Sequence, residues 1–231
     1  VSLRILFLGE GTSDSGITTH IRRIAIDHGF QVVITDPLVE RLPASRRRTV
    51  RSKLEVITEI GGAYELIVIH RDADRDGREP RLREIELAVN SVMPDTPFVG
   101  VIPIRMTEAW LMLDERDLRI VAGNPNGRMS IDLPRPKFVE TIPDPKAVLA
   151  EKLALASGLS GRKLIKFKQR FPEHRRQLLD RIDPTGPICD VSSWNSFNED
   201  LLSGLQRAAR ELQLGLRTPH ARVRPPQMGC P

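Results

Sequence analysis

The chain alternates short, uninterrupted apolar runs with stretches in which apolar residues recur every three or four positions. The runs are "LRILFLG" (3–9), "FQVVITDP" (30–37), "YELIVIH" (64–70) and "PFVGVIPI" (97–104). Short continuous apolar runs predict buried strands, and their continuity predicts a sheet covered by helices on both faces. Between them, "SDSGITTHIRRIAIDHG", "SRRRTVRSKLEVITEIGG" and "EPRLREIELAVNSVM" carry helical periodicity. The first has Ser13 or Asp14 as N-cap and stops at Gly29. The second runs from Ser45 to the Gly61–Gly62 pair, and the third has Pro80 in its first turn. "TEAWLMLDE" predicts a further helix capped by Thr107. Alternation of this kind predicts an α/β fold with a mainly parallel sheet flanked by helices.

After about residue 120 the strands stop. "AGNPNGRMSIDLPRPK" is rich in turn residues, and three helices are expected beyond it. One starts at Asp144–Pro145. The second is "GRKLIKFKQRFPEHRRQLLDRI", broken or kinked at Pro172. The third starts at Ser196, with Glu199 completing a capping box, and ends near Leu214 before Gly215. The expected organisation is an α/β domain over 1–118, a helical C-terminal region over 119–215, and a tail over 216–231 without periodicity and expected to be disordered.

Composition narrows the class. Hydrophobic residues make up 40% of the 231 and charged residues 28%, as in ordinary globular proteins. No apolar run approaches the roughly 20 residues of a membrane span, and "VSLRILFLGEG" reads as a first strand and not as a signal peptide. Cys189 and Cys230 offer neither a disulfide framework nor a metal cluster, so a reduced, cytoplasmic protein is expected. The net charge of +5 is carried mostly by arginine, whose fork matches phosphate oxygens.

The candidate chemistry lies at the strand ends. In open parallel sheets, functional residues gather outside the carboxyl ends of the strands. The first strand ends in "LGEGTSDSG" with Glu10 and Asp14. The third ends in "HRDADRDG" with Asp72, Asp74 and Asp76, and the fourth in "IRMTEAW" with Glu108. Acids gathered on one edge repel unless a cation lies between them, and Mg²⁺ or Mn²⁺ is the natural occupant for oxygen ligands. "DADRDG" also opens like a calcium-binding EF-hand loop, but the twelfth position is Arg83 and a strand, not a helix, precedes it. A plainer reading pairs these acids with Arg71, Arg75 and Arg78. "GEGTSDSG" lacks the Gly-Lys-Ser/Thr of a phosphate loop. Trp110 is expected in the core. His70, beside the acids, is either a proton donor or a structurally satisfied histidine. Arg162, Lys163, Lys166, Lys168, Arg170, Arg175 and Arg176 form a dense basic cluster suited to nucleic acid or an acidic partner, or are a solvated helix face.

An isolated acid after the first strand and Asp-x-Asp after the third resemble the TOPRIM domain, the metal-dependent catalytic module of topoisomerases, primases and OLD nucleases. The resemblance covers Val1 to about Glu115. The stretch "IRMTEAWLMLDERDLRIVAGNPNG" is similar to a small OLD-like TOPRIM family found beside AAA-type ATPases, to which the effector of PARIS-type anti-phage systems is related. This resemblance implies Mg²⁺- or Mn²⁺-dependent phosphodiester cleavage of DNA or RNA, with an ATPase partner. It implies that Glu10, Asp72, Asp74 and Glu108 are metal ligands or catalytic acids; Asp14 and Asp76, from their strand-end positions, are expected to ligate or support. Arg71, Arg75 and Arg105 would neutralise phosphate, and the basic cluster would dock nucleic acid or the partner. The dense arginine around Asp72 and Asp74 departs from the family pattern. The lone tyrosine, Tyr64, precedes a strand and does not suit strand passage. Two other classes stay open: a non-catalytic regulatory or sensor subunit of an ATPase complex, and a metal-dependent phosphatase or phosphotransferase. A haloacid-dehalogenase-type phosphatase would need its nucleophile where this chain has Gly9-Glu10-Gly11.

Overall fold

The computed structural model describes residues 2–37 and 43–216; the expected tail from 217 on and Cys230 lie outside the described residues. Four strands form one all-parallel sheet: β1 (Ser2–Leu8), β2 (Gln31–Thr35), β3 (Leu66–His70) and β4 (Phe98–Val101), in the order β2-β1-β3-β4. The register places Leu6 opposite Ile67 and Ile69 opposite Gly100. Helices α1 (Ile17–Asp27), α2 (Val50–Ile60) and α3 (Arg78–Val92) connect the strands.

Alternation along each strand divides the side chains between two faces. Leu3, Ile5, Phe7, Leu66, Val68, Val99 and Val101 join a large core with α1, and Leu6, Leu8, Ile67 and Ile69 join a smaller one with α2 and α3. β3 is buried at every position, which is why its sequence is apolar from Leu66 to Ile69, and it ends on the buried His70.

The C-terminal part is α4 (Glu115–Val121), α5 (Pro145–Ser157), α6 (Gly161–Gln169), α7 (Phe171–Arg181) and α8 (Ser192–Gln213). It packs on the sheet. Phe197, Leu201, Leu205 and Ala208 of α8 share the large core with the residues of β1, β3 and β4. Gly204 lets the helix approach closely, since a Cβ there would lie 2.5 Å from Val99 Cγ2.

Several expected helix boundaries differ. Ser13 and Asp14 lie inside a 3-10 turn at Thr12–Gly16, because the Asp14 carboxylate folds back onto the Glu10 and Gly11 amides. The helix expected from Ser45 starts at Val50, where Thr49 accepts from Ser52 N–H at 3.0 Å. Thr107 does not cap a long helix. Residues Thr107–Leu111 form a 3-10 turn, and α4 starts later, where the Asp114 carboxylate accepts from Asp117 N–H at 3.1 Å. The break expected at Pro172 falls at Arg170, and the proline sits in the first turn of α7, where its missing N–H costs nothing. α8 starts at Ser192, not Ser196. Glu140, distant in sequence, receives Ser193 N–H at 3.0 Å and the Ser192 hydroxyl at 2.6 Å, replacing the expected capping box.

Candidate functional site

Between β1 and β3 the connections leave the sheet in opposite directions, β1 towards β2 and β3 towards β4, which makes this the switch point at which open parallel sheets form a crevice at their carboxyl edge. Glu10 and Asp14 follow β1, His70 ends β3, Arg71 and Asp72 follow it, and Thr107 and Glu108 come after β4. The eighth member arrives from the C-terminal part: Arg175, on α7.

Asp14 is the most heavily bonded of these acids. Its Oδ2 accepts from the amides of Glu10 (2.9 Å) and Gly11 (3.0 Å) and from His70 Nδ1 (3.0 Å). Its Oδ1 accepts from Arg175 at 2.7 Å, and the same guanidinium bonds Ser13. Burial opposes ionisation of Asp14, but His70, Arg175 and the Gly11 amide overcome it and hold the carboxyl far below the usual range. His70 is fully buried, which disfavours its charge. Asp14 and then Asp72 outweigh that and push it up to about 10, so it is an imidazolium at neutral pH. Its Nε2 lies 2.9 Å from Thr107 Oγ1, and that hydroxyl donates to Asp72 Oδ1 at 3.0 Å. Thr107 N–H reaches the same oxygen at 2.9 Å. Asp72 resists the cost of burial through His70 and stays below its ordinary value. Of the two readings of His70, the geometry fits the satisfied histidine, since both ring nitrogens have partners.

Glu10 and Glu108 behave oppositely. Burial raises both, and the charge of Asp72 raises each further. Arg71 at 3.2 Å from Glu10, and Arg175 at 3.1 Å from Glu108, offset this in part. The crevice therefore holds four carboxylates that sense one another, two raised and two lowered from their ordinary values. Arg71 Nε, a buried atom, has no hydrogen-bond partner among the described residues, and Arg175 Nε faces Glu108 Oε1 at 3.1 Å as an ion pair without hydrogen-bond geometry.

Asp74 and Asp76 sit apart from this group. Both are exposed and both are held by Arg81, at 3.0 Å each. Arg81 also bonds the Asp72 carbonyl at 3.2 Å and Glu84 at 3.2 Å. The second acid of the Asp-x-Asp pair thus lies on the rim while the first lies inside. Arg75 is exposed and Arg105 half-buried. Asp74 and Arg105 both adopt left-handed backbone (φ 50° and 67°) and are joined by Asp74 N–H to Arg105 O at 2.9 Å. Such conformations cost energy for non-glycine residues and concentrate at functional sites.

Arg175 departs from the basic cluster to which the sequence assigns it. It falls on the same stripe of α7 as Phe171, His174, Leu178 and Leu179, and that stripe turns inward. Arg162, Lys163, Lys166, Lys168, Arg170 and Arg176 are exposed and make no ion pair with a described residue. Arg78, expected beside the acids, instead bonds Asp200 of α8. Two cations went unread in the sequence. Arg81 clamps the rim, and buried Lys53 donates to the Gly9 carbonyl at 2.6 Å, fixing the turn that carries Glu10. Lys53 is detectable in hindsight, since it interrupts the apolar stripe Val50, Leu54, Ile57.

Among the described residues, no three His, Cys, Asp or Glu side chains are assembled as a metal-binding group. Glu10, Asp72 and Glu108 carry oxygen atoms of the chemical type a hard cation takes, and burial is the largest cause raising the two glutamates. No helix among the described residues is long and apolar enough to cross a membrane. Trp110 is buried as expected, donating to Ser193 Oγ at 2.8 Å. No protein-family model, curated protein or solved structure matches this chain.

Proposed function

We propose that the carboxyl edge of the sheet is a phosphodiester-cleaving site acting on DNA or RNA with Mg²⁺ or Mn²⁺, as the TOPRIM resemblance implies. The observation that carries this reading is the flanking of Asp72 by Glu10 and Glu108, both pushed towards protonation in a crevice at the topological switch point. Glu10, Asp72 and Glu108 would hold the ion, with Asp74 joining only on release from Arg81. A divalent ion bound there supplies Lewis-acid polarisation of a phosphoryl oxygen.

The chain's own residues divide the remaining work. Glu10, between two glycines and partly exposed, is the general acid or base, and its raised pKa suits proton exchange. Arg71 neutralises the phosphate, with Arg75 and Arg105 at the mouth of the crevice. Asp14 and His70 hold the crevice in shape and are not themselves reactive, because their polar atoms are already engaged. The exposed basic face of α6 and α7 would dock nucleic acid or an ATPase partner in anti-phage defence.

One observation favours the regulatory-subunit reading instead. His70, Arg175 and Arg71 already neutralise much of the acid charge, as in a purely structural network. Plasmid-nicking and tRNA-cleavage assays with Mg²⁺, Mn²⁺ or EDTA separate the two. Cleavage is expected with metal and not with EDTA. Glu10→Ala is expected to lose about 10²–10⁴ in rate with a melting temperature unchanged or raised. A wild-type protein inert towards both substrates favours the regulatory subunit, and a Glu10→Ala protein of wild-type rate removes Glu10 from the mechanism.

A further inference from the structure

A groove of about 590 Å³ lies between α5 and the α6–α7 pair, away from the acid edge. Its size falls within the roughly 300–1,000 Å³ of small-ligand sites. Ala147, Ala150 and Ala154 recur at helical spacing along α5 and line it with small side chains, and Leu153 and Leu155 add apolar surface. Leu164, Phe167 and Phe171 line the α6–α7 side. No residue of α6 is buried, although that helix is clearly two-faced, so its apolar side is only half-covered. Lys168 is the cationic side chain among the described lining residues, and Glu151, on α5, is the acidic one.

His174 adds a second and independent observation. It lines the groove, is almost fully buried and stacks on Phe167 at 4.2 Å. Its Nδ1 has no hydrogen-bond partner. A buried polar atom left unsatisfied costs stability unless a ligand or water completes it.

We propose that this groove binds an amphiphilic carboxylate, its acyl chain along the apolar walls and its head group on Lys168. The apolar lining is too extensive, and hydrogen-bonding groups too few, for a nucleobase or a sugar. Glu151 repels an anionic head from the α5 side, and Lys168 attracts it to the α6 side. The next residue after His174 is Arg175, which holds Asp14 and Glu108. Occupancy of the groove therefore bears on the same helix that closes the acid edge, and this holds whether or not that edge cleaves phosphodiesters.

The test is titration calorimetry of the full chain with dodecanoate, hexanoate and dodecanol, the carboxylates below their critical micelle concentrations and dodecanol below its solubility limit. Saturable 1:1 binding of dodecanoate is expected, with hexanoate at least about tenfold weaker because less apolar surface is buried. Lys168→Gln is expected to weaken dodecanoate roughly tenfold while leaving dodecanol unchanged, since only the charge-assisted contact is lost. Ala150→Trp fills the groove and is expected to abolish binding with an unchanged circular dichroism spectrum. Ala154→Trp gives the same reading should Ala150→Trp fail to fold. Absence of dodecanoate binding overturns the proposal. So does binding that survives both folded tryptophan variants, or that is equally strong for hexanoate.

Discussion

His70 is a charged imidazole with no exposure to solvent, held between Asp14 on one nitrogen and Thr107 and Asp72 on the other. Its folded value of about 10 stands above the ordinary 6.5, so folding takes up a proton in the interval between them. The stabilisation is complete below about pH 6.5 and is lost as the pH rises through about 10. Asp14 works in the opposite sense. Its depressed value contributes stability above the usual carboxylate range, lost only in strong acid. Scanning calorimetry at pH 6, 8 and 10 is expected to show a melting temperature that falls with pH across this window. His70→Gln is expected to lose that slope and about 3–5 kcal/mol at neutral pH, because it strips Asp14 of a buried partner. A wild-type curve flat across the window counts against a charged His70. At this scale the sequence identified Glu10, Asp72 and Glu108 as strand-end acids, and those three do share one edge. It misplaced Arg175, because charge clusters are visible in one dimension while the facing of a helix stripe depends on what the helix packs against.

Elements were easier to read than their ends. All four strands stand where the apolar runs place them: β3 is buried at every position and β1 and β4 at most, while the edge strand β2 is apolar at its centre without being fully covered. Helix starts were harder. Glu140 caps α8 from more than fifty residues away, and no local box could reveal it. Thr107 looks like a cap but spends its hydroxyl and its amide on Asp72. α8 also carries a constraint that propensity alone would get wrong. Alanine at Gly204 should favour a helix interior by about 1 kcal/mol. The added Cβ would instead meet Val99 Cγ2 at 2.5 Å and Leu66 Cδ1 at 3.2 Å, on strands pinned from their other face. Overpacking of this kind costs about 1–3 kcal/mol, so Gly204→Ala is expected to be a net loss of up to about 2 kcal/mol in denaturant titration. A more stable Gly204→Ala protein would mean that the helix rides further from the sheet than described.

Across the whole molecule, the boundary near residue 118 is a change of secondary structure and not a change of core. Side chains of β1, β3 and β4 mix with those of α5, α7 and α8 in one cluster. Trp110, just after β4, packs edge-on against Trp194 of α8 at 5.2 Å, so tryptophan fluorescence reports the seam between the two parts. Unfolding in urea is expected to give coincident transitions by tryptophan fluorescence and far-ultraviolet circular dichroism. Two separated transitions would mean that the helical part is an independent unit. The closing of α8 over the sheet also sets an order of events during synthesis. A ribosome that has just released β4 holds a sheet whose large-core face is covered by α1 alone, and some ninety residues must follow before α8 completes the cover over Leu66, Val68 and Val99. The nascent protein thus passes through a long adhesive interval, and a premature stop before Ser192 leaves a product fit for aggregation or for a chaperone, but not for work.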